Sequence, residues 1–300
     1  MRQSPISRVV TVALAVFERQ FDMKTRIISG VIGILVLLPV LYFSGTVVLP
    51  IAIAILSLIA SIEMAGALAM KRRYQFLVPS LLYAAVLPML THFLREEPNG
   101  FILYAALVTV FYMLVCFTSA VLSNGKIPFS LVAQQVLGTV YATVGLSAVS
   151  FLRILPSGAY IYGLVFVGAW VTDTMAYFTG VFLGKHKLCP AISPKKTIEG
   201  SLGGIVFCIL GFILYAFIME KAFGLVPNYL ALGVAGALSS FVSQIGDLTA
   251  SLIKREHGVK DFGRLMPGHG GVLDRFDSII AVAALLVLFT MLPDSFAFFA

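Results

Sequence analysis

The sequence predicts an all-α, polytopic integral membrane protein with about nine transmembrane helices. Three observations carry that prediction. Hydrophobic residues make up 59 % of the chain and charged residues 12 %, with a mean hydropathy of +0.99; a soluble domain is nearer half apolar and a quarter charged. Nine apolar stretches follow one another, most of them close to the ~20 residues that cross a bilayer as a helix. The Lys and Arg residues gather in alternate connections, as the positive-inside bias requires.

The stretches run roughly 27–43, 46–70, 76–94, 101–122, 127–152, 159–183, 201–219, 229–253 and 276–292. The last is short and opens on a carboxylate, Asp277. Pro39, Pro79 and Pro88 are expected to bend their helices without breaking them, because neighbouring helices can satisfy the freed carbonyls. No solenoid or transporter repeat is visible. Before the first stretch, residues 1–22 have an apolar core only from Val9 to Phe17, too short to span. Three readings are open for that extension: a signal peptide, an interfacial helix, or residues preceding a true start at Met23. Glu18, Arg19 and Gln20 stand where a signal peptide needs small residues.

With the amino terminus in the cytoplasm, eighteen of the 21 Lys and Arg fall on the cytoplasmic side, leaving Arg95, Arg153 and Lys221 opposite. This placement accounts for the net charge of +7 without nucleic acid, for which no basic-and-aromatic module is present. The three cysteines fix no disulfide pattern and read as free thiols. The spans between 27 and 152 carry little polar content beyond Glu63 and His92, and residues 23–155 read as a scaffold half. Residues 156–300 hold the intramembrane carboxylates and both long polar loops, and read as a catalytic half. Glu63 fits a helix–helix pairing or a place near the cytoplasmic interface better than catalysis; His92 and Trp170 read as structural.

Polar chemistry concentrates in Ser251–Ser278. Lys254, Arg255, Lys260, Arg264 and Arg275 stand there beside Glu256, Asp261, Asp274 and Asp277, with His257, His269 and five glycines between. Topology alone needs neither the carboxylates nor His269-Gly270-Gly271. Cations beside paired carboxylates suit phosphates and a hard divalent ion that bridges phosphate oxygens. In an earlier span, Asp173, Tyr177, Gly180 and Gly184 share one helix face, and an ionisable residue at membrane depth is a functional candidate. The loop Lys185–Ser201 contains Ser193-Pro194-Lys195-Lys196-Thr197 and then Glu199-Gly200, a compact anion site that is not a P-loop. Asp247, Ser251 and Lys254 share a face, and Asp274 and Asp277 at i, i+3 can point the same way. Asp173, Asp247, Asp274 and Asp277 can therefore converge at the cytoplasmic ends of three spans. Four such acids need a cation to neutralise them, and oxygen-only ligands favour Mg²⁺.

The run S-x-x-K-R-x(4)-K-D-x-G-x(3)-P-G-H-G-G-x-x-D-R-x-D, from Ser251 to Asp277, resembles the signature of the CDP-diacylglycerol synthases (phosphatidate cytidylyltransferases). S-P-K-K-T-x-E-G from Ser193 and D-x-x-A-Y-x-x-G from Asp173 resemble two further motifs of that family. The resemblance is tight over about 170–278. It implies the reaction of CTP with phosphatidate to give CDP-diacylglycerol and pyrophosphate in a bacterial inner membrane, with the active site facing the cytoplasm. It further implies Mg²⁺ on Asp247 and Asp274, a second monovalent cation such as K⁺, and a homodimer. Asp173 and Asp277 follow as ligands or neighbours of ligands. Lys195, Lys196, Lys254, Arg255, Lys260 and Arg275 would hold the triphosphate, the pyrophosphate or the lipid phosphate, with Ser193, Glu199, Ser251, Asp261 and His269 around them. His269 suits a phosphate or backbone hydrogen bond better than the metal. Rival classes fit less. A transporter does not need phosphate loops, a scaffold does not need four buried acids, and the D-G-x-x-A-R motif of the CDP-alcohol phosphotransferases is absent.

Overall fold

A computed structural model describes residues 28–299. The expectations for residues 1–22 lie outside the described residues. Among those described, nine α-helices match the nine apolar stretches one for one: α1 Ile28–Tyr42, α2 Val48–Ala67, α3 Tyr74–Phe93, α4 Pro98–Leu122, α5 Phe129–Ile154, α6 Gly158–Leu183, α7 Ile198–Phe223, α8 Tyr229–Glu256 and α9 Leu273–Thr290. Seven of them, α2 to α8, are long and apolar enough to cross a membrane. α1 is shorter over its described residues, and α9 carries Asp274, Arg275 and Asp277 in its opening turns. α3 runs unbroken through Pro79 and Pro88, where Ser80 Oγ donates to Phe76 O and Thr91 Oγ1 to Pro88 O.

The connection between α6 and α7 departs from a purely helical reading. It is an antiparallel hairpin, β1 Lys187–Cys189 with β2 Ser193–Thr197, and it delivers the chain directly into α7. Thr197 Oγ1 caps that helix by accepting from Gly200 N.

The bundle is centred on α5 and α9. α5 is the most buried of the spanning helices, and α4, packed at the edge, the least. Small residues set the close crossings, as is usual where apolar burial cannot distinguish helix from lipid. A methyl group at Gly145 of α5 would collide with Ile280 of α9, and one at Gly200 of α7 with the backbone of α6 at Ala176. A methyl group at Gly246 of α8 would lie 2.7 Å from the carbonyl oxygen of Asp277.

That last crossing fixes the depth at which α9 begins. Gly246 lies ten residues before the end of α8, about 15 Å at ~1.5 Å per residue, and Asp277 lies only four residues, about 6 Å, inside α9. The start of α9 is therefore recessed by roughly 9 Å relative to the end of α8. The loop 257–272 folds down into the bundle to reach it.

Candidate active site

The same end of the bundle carries the start of α1, the end of α2, the ends of α6 and α8, the hairpin and the recessed start of α9. The polar residues there form two adjoining groups rather than the single cluster of four acids expected from spacing.

The first group lines a cavity of about 540 Å³ between α6, α7, α8 and the hairpin. Asp173, Tyr177 and Gly180 line it from one face of α6, as their spacing predicts, with Val181 beside them. Lys187 and Lys195 reach it from the hairpin, and Asp247 from α8. Lys196 Nζ lies 2.5 Å from Asp247 Oδ2, both side chains about a quarter to a third exposed. Gly184 ends α6, and a methyl group there or at Gly180 would press on Thr197. These two glycines let the hairpin sit against the helix.

The second group surrounds the start of α9 and is buried. Lys254 Nζ donates to Asp274 Oδ1 at 2.6 Å, with the two side chains 11 % and 2 % exposed. The other oxygen, Oδ2, accepts from Phe262 N at 2.8 Å and Gly271 N at 3.0 Å. Lys254 also stands 5.4 Å from the centre of the Phe262 ring. Both Asp274 oxygens are thus engaged with a cation and a loop.

Asp277 links the groups. Its Oδ1 accepts from Ser278 N at 2.8 Å, and it interacts electrostatically with Asp247, Asp173 and Lys254. Ser278 Oγ lies 3.4 Å from Asp173 Oδ1. Asp274 and Asp277 do not point the same way. One serves the loop and Lys254, the other faces the cavity acids. An i, i+3 spacing allows a shared direction but cannot impose it where a recessed loop wraps the first turn.

Glu63 is the contribution that spacing does not reveal. From α2 its Oε1 accepts from Val272 N and its Oε2 from Leu273 N, each at 2.9 Å. Helix amino termini leave such amides without internal partners and favour negative charge. Gly263 and Gly271 lie so close to this carboxylate that any Cβ would collide with it. Gly263 and Gly271 of the signature loop thus make room for Glu63.

The remaining predicted residues take varied positions. Glu199 accepts from Lys185 N at 3.1 Å and His186 N at 3.2 Å, and His186 Nδ1 lies 2.6 Å from its other oxygen, so it pins the start of the hairpin connection. His269 Nδ1 lies 2.8 Å from Ser29 Oγ, which donates to Pro267 O, tying the loop to α1. Ser193 opens β2 and pairs with Cys189. Ser251 is half-buried between Asp247 and Lys254, while Arg255, Lys260, Asp261 and Arg275 are exposed. Arg275 and Lys196 both act electrostatically on Asp173.

Every acidic donor here is a carboxylate, which suits Mg²⁺ better than softer ions. Among the described residues no three His, Cys, Asp or Glu side chains stand in a ready-made metal cluster. Lys196 neutralises Asp247 in this arrangement, and Asp173 and Asp277 are the carboxylates nearest to it in electrostatic reach.

Comparisons with known proteins identify the family. The cytidylyltransferase family profile matches residues 24–292. A phosphatidate cytidylyltransferase of Staphylococcus haemolyticus is 36 % identical over 266 residues, 88 % of this chain and 97 % of that protein. One from Staphylococcus aureus (strain COL) is 38 % identical over 265 residues, with the same coverage. A third, from Staphylococcus epidermidis, is 36 % identical over 268 residues, again with 88 % and 97 % covered. The resemblance carried by the signature loop therefore extends through the whole bundle, and the chain belongs to the cytidylyltransferase family.

Proposed function

We propose that this protein transfers the cytidylyl group of CTP to phosphatidate, releasing pyrophosphate and leaving CDP-diacylglycerol in the membrane. The observation that carries the reading is the cavity itself. It sets Lys195, Lys196 and Asp247 beside Asp173, and Tyr177 and Val181 on its wall are largely exposed on the apolar surface of α6. A lipid phosphate has a route from the bilayer, and a triphosphate has one from the polar end.

In the reaction a lipid phosphate oxygen attacks the α-phosphorus of CTP. A new P–O–P bond forms, and the bond to the β-phosphate oxygen breaks as pyrophosphate leaves. The attacking phosphate monoester has its second pKa near ~6 and is already largely dianionic at neutral pH, so no strong general base is required. The protein has only to bring two anions together and hold them in line. Lys195 and Lys196 take phosphate oxygens. Asp247, with Asp173 and Asp277 beside it, would hold Mg²⁺, which would supply neutralisation of the triphosphate charge. Asp274 was expected as a second ligand. Its geometry favours a different role, because it fixes Lys254 and the loop 262–271 against the start of α9, with both oxygens engaged. Arg255, Lys260 and Arg275 supply the exposed cationic rim.

The orientation that suits this reading puts the cavity in the cytoplasm, where the Lys and Arg bias also puts it, with α1 and α9 joining the seven longer helices as spans. The test is CDP-lipid and pyrophosphate formation by purified protein in detergent, with and without Mg²⁺, beside Asp247→Asn and Asp274→Asn. Product from wild type and a loss of about 100-fold or more in Asp247→Asn support both the reaction and the metal assignment. An inactive but folded wild type would remove phosphatidate as the acceptor. If Asp274→Asn, folded as wild type, shifts the Mg²⁺ requirement while Asp247→Asn does not, the ligand assignment is reversed.

A further inference from the structure

A second polar cavity, of about 270 Å³, lies at the opposite end of the bundle, between the ends of α1, α3 and α5 and the start of α2. Ser44, Thr46, His92, Arg95, Arg153 and the carboxylate-bearing Glu96 are among the residues that line it. That end of the molecule is poor in cations: Arg95, Arg153 and Lys221 are its only Lys or Arg among the described residues, and two of the three meet here.

Arg153 is the centre of the argument. It is half-buried, its Nε donates to Ser44 Oγ at 3.1 Å, and its guanidinium lies 5.7 Å from the centre of the Tyr162 ring. Among the described residues no carboxylate lies within ion-pair distance of it. The carboxyl end of α5 offers only the partial negative charge of a helix terminus. A partly desolvated guanidinium with unused N–H groups needs an anion, and its planar fork matches phosphate. Arg95 has only an exposed neighbour, Glu96, at 3.7 Å, a contact that water screens strongly.

We propose that this cavity binds a phosphate-bearing anion, held by Arg153 and Arg95. At the far side of the membrane such a phosphate comes from an anionic phospholipid headgroup or from free phosphate. The site is separate from the cavity of the reaction and does not depend on it.

The test is native mass spectrometry of the full chain in neutral detergent, with dioctanoyl phosphatidylglycerol as probe and inorganic phosphate as competitor. A retained lipid adduct is expected for wild type. It should fall about tenfold in Arg153→Gln and in the half-exposed Arg95→Gln, in line with the loss of one charge-assisted hydrogen bond. Lys221→Gln, at the same end but outside this cavity, should leave it unchanged. Displacement by inorganic phosphate identifies phosphate as the recognised group, and persistence against it identifies the lipid headgroup. Cytidylyltransferase activity of the arginine variants serves as the folding check. An adduct equally strong in wild type and in the Arg95→Gln/Arg153→Gln pair overturns the proposal, as does no adduct with either probe.

Discussion

Lys254 and Asp274 form an ion pair that solvent scarcely reaches, 2.6 Å from nitrogen to oxygen. Removing one member of such a pair strands the other charge, at a typical loss of about 3–5 kcal/mol. Asp274→Ala should therefore unfold at markedly lower temperature than wild type in detergent. Lys254→Met with Asp274→Leu should recover much of that stability, yet remain inactive. Recovery of activity in the double variant would show that neither charge takes part in the reaction or its positioning.

Glu63 should behave as a positioning residue. Glu63→Ala leaves two buried amides without acceptors, each worth about 1–3 kcal/mol. Glu63→Gln keeps one carbonyl oxygen and should retain intermediate stability. The effect on turnover should fall on kcat more than on KM for CTP, because Glu63 sets the start of α9 and touches no substrate. A pure KM effect would place Glu63 in substrate binding instead.

The glycines offer a contrast within one fold. Gly271→Ala and Gly263→Ala each force a methyl group onto Glu63, and overpacking of this kind costs about 1–3 kcal/mol. Gly33→Ala and Gly233→Ala meet nothing within 4 Å and should be neutral or slightly stabilising. Thermal unfolding of the four variants checks the ranking, and equal midpoints would contradict the close approach of the loop to Glu63.

Lys196 and Asp247 are partly exposed, so breaking their pair should change stability by no more than about 1 kcal/mol. Lys196→Gln and Asp247→Asn should stay folded while losing most activity. They should differ in kind: Asp247→Asn should demand more Mg²⁺, and Lys196→Gln more CTP. Matching titration curves for the two variants would mean that the cavity does not divide metal and phosphate between them.

Much of this architecture was legible in the residues. Long apolar runs have few alternatives to a helix in lipid, so the nine stretches became nine helices. Asp173, Tyr177 and Gly180 share a face because helical periodicity leaves no choice. The partnership of Glu63 with Val272 and Leu273 was not legible. It joins residues more than 200 positions apart through backbone amides, which every sequence has. The tie from His269 to Ser29 is hidden by the same distance along the chain. The hairpin at Lys187–Thr197 was obscured by its proline and lysines, which read as loop. The split between Asp274 and Asp277 depends on the path of the loop before them, which local spacing does not encode.

The recessed start of α9 has one more consequence. For a lipid substrate, the headgroup is held at a fixed level by its acyl chains, and a site built at the rim of the bundle would require lifting it toward water. Here Asp277 lies level with Gly246, about 15 Å below the end of α8. On the proposed function, that depth would bring a carboxylate toward the headgroup's level and act as a filter. A lipid phosphate arrives at that level by default, while a water-soluble phosphate monoester has nothing to keep it there.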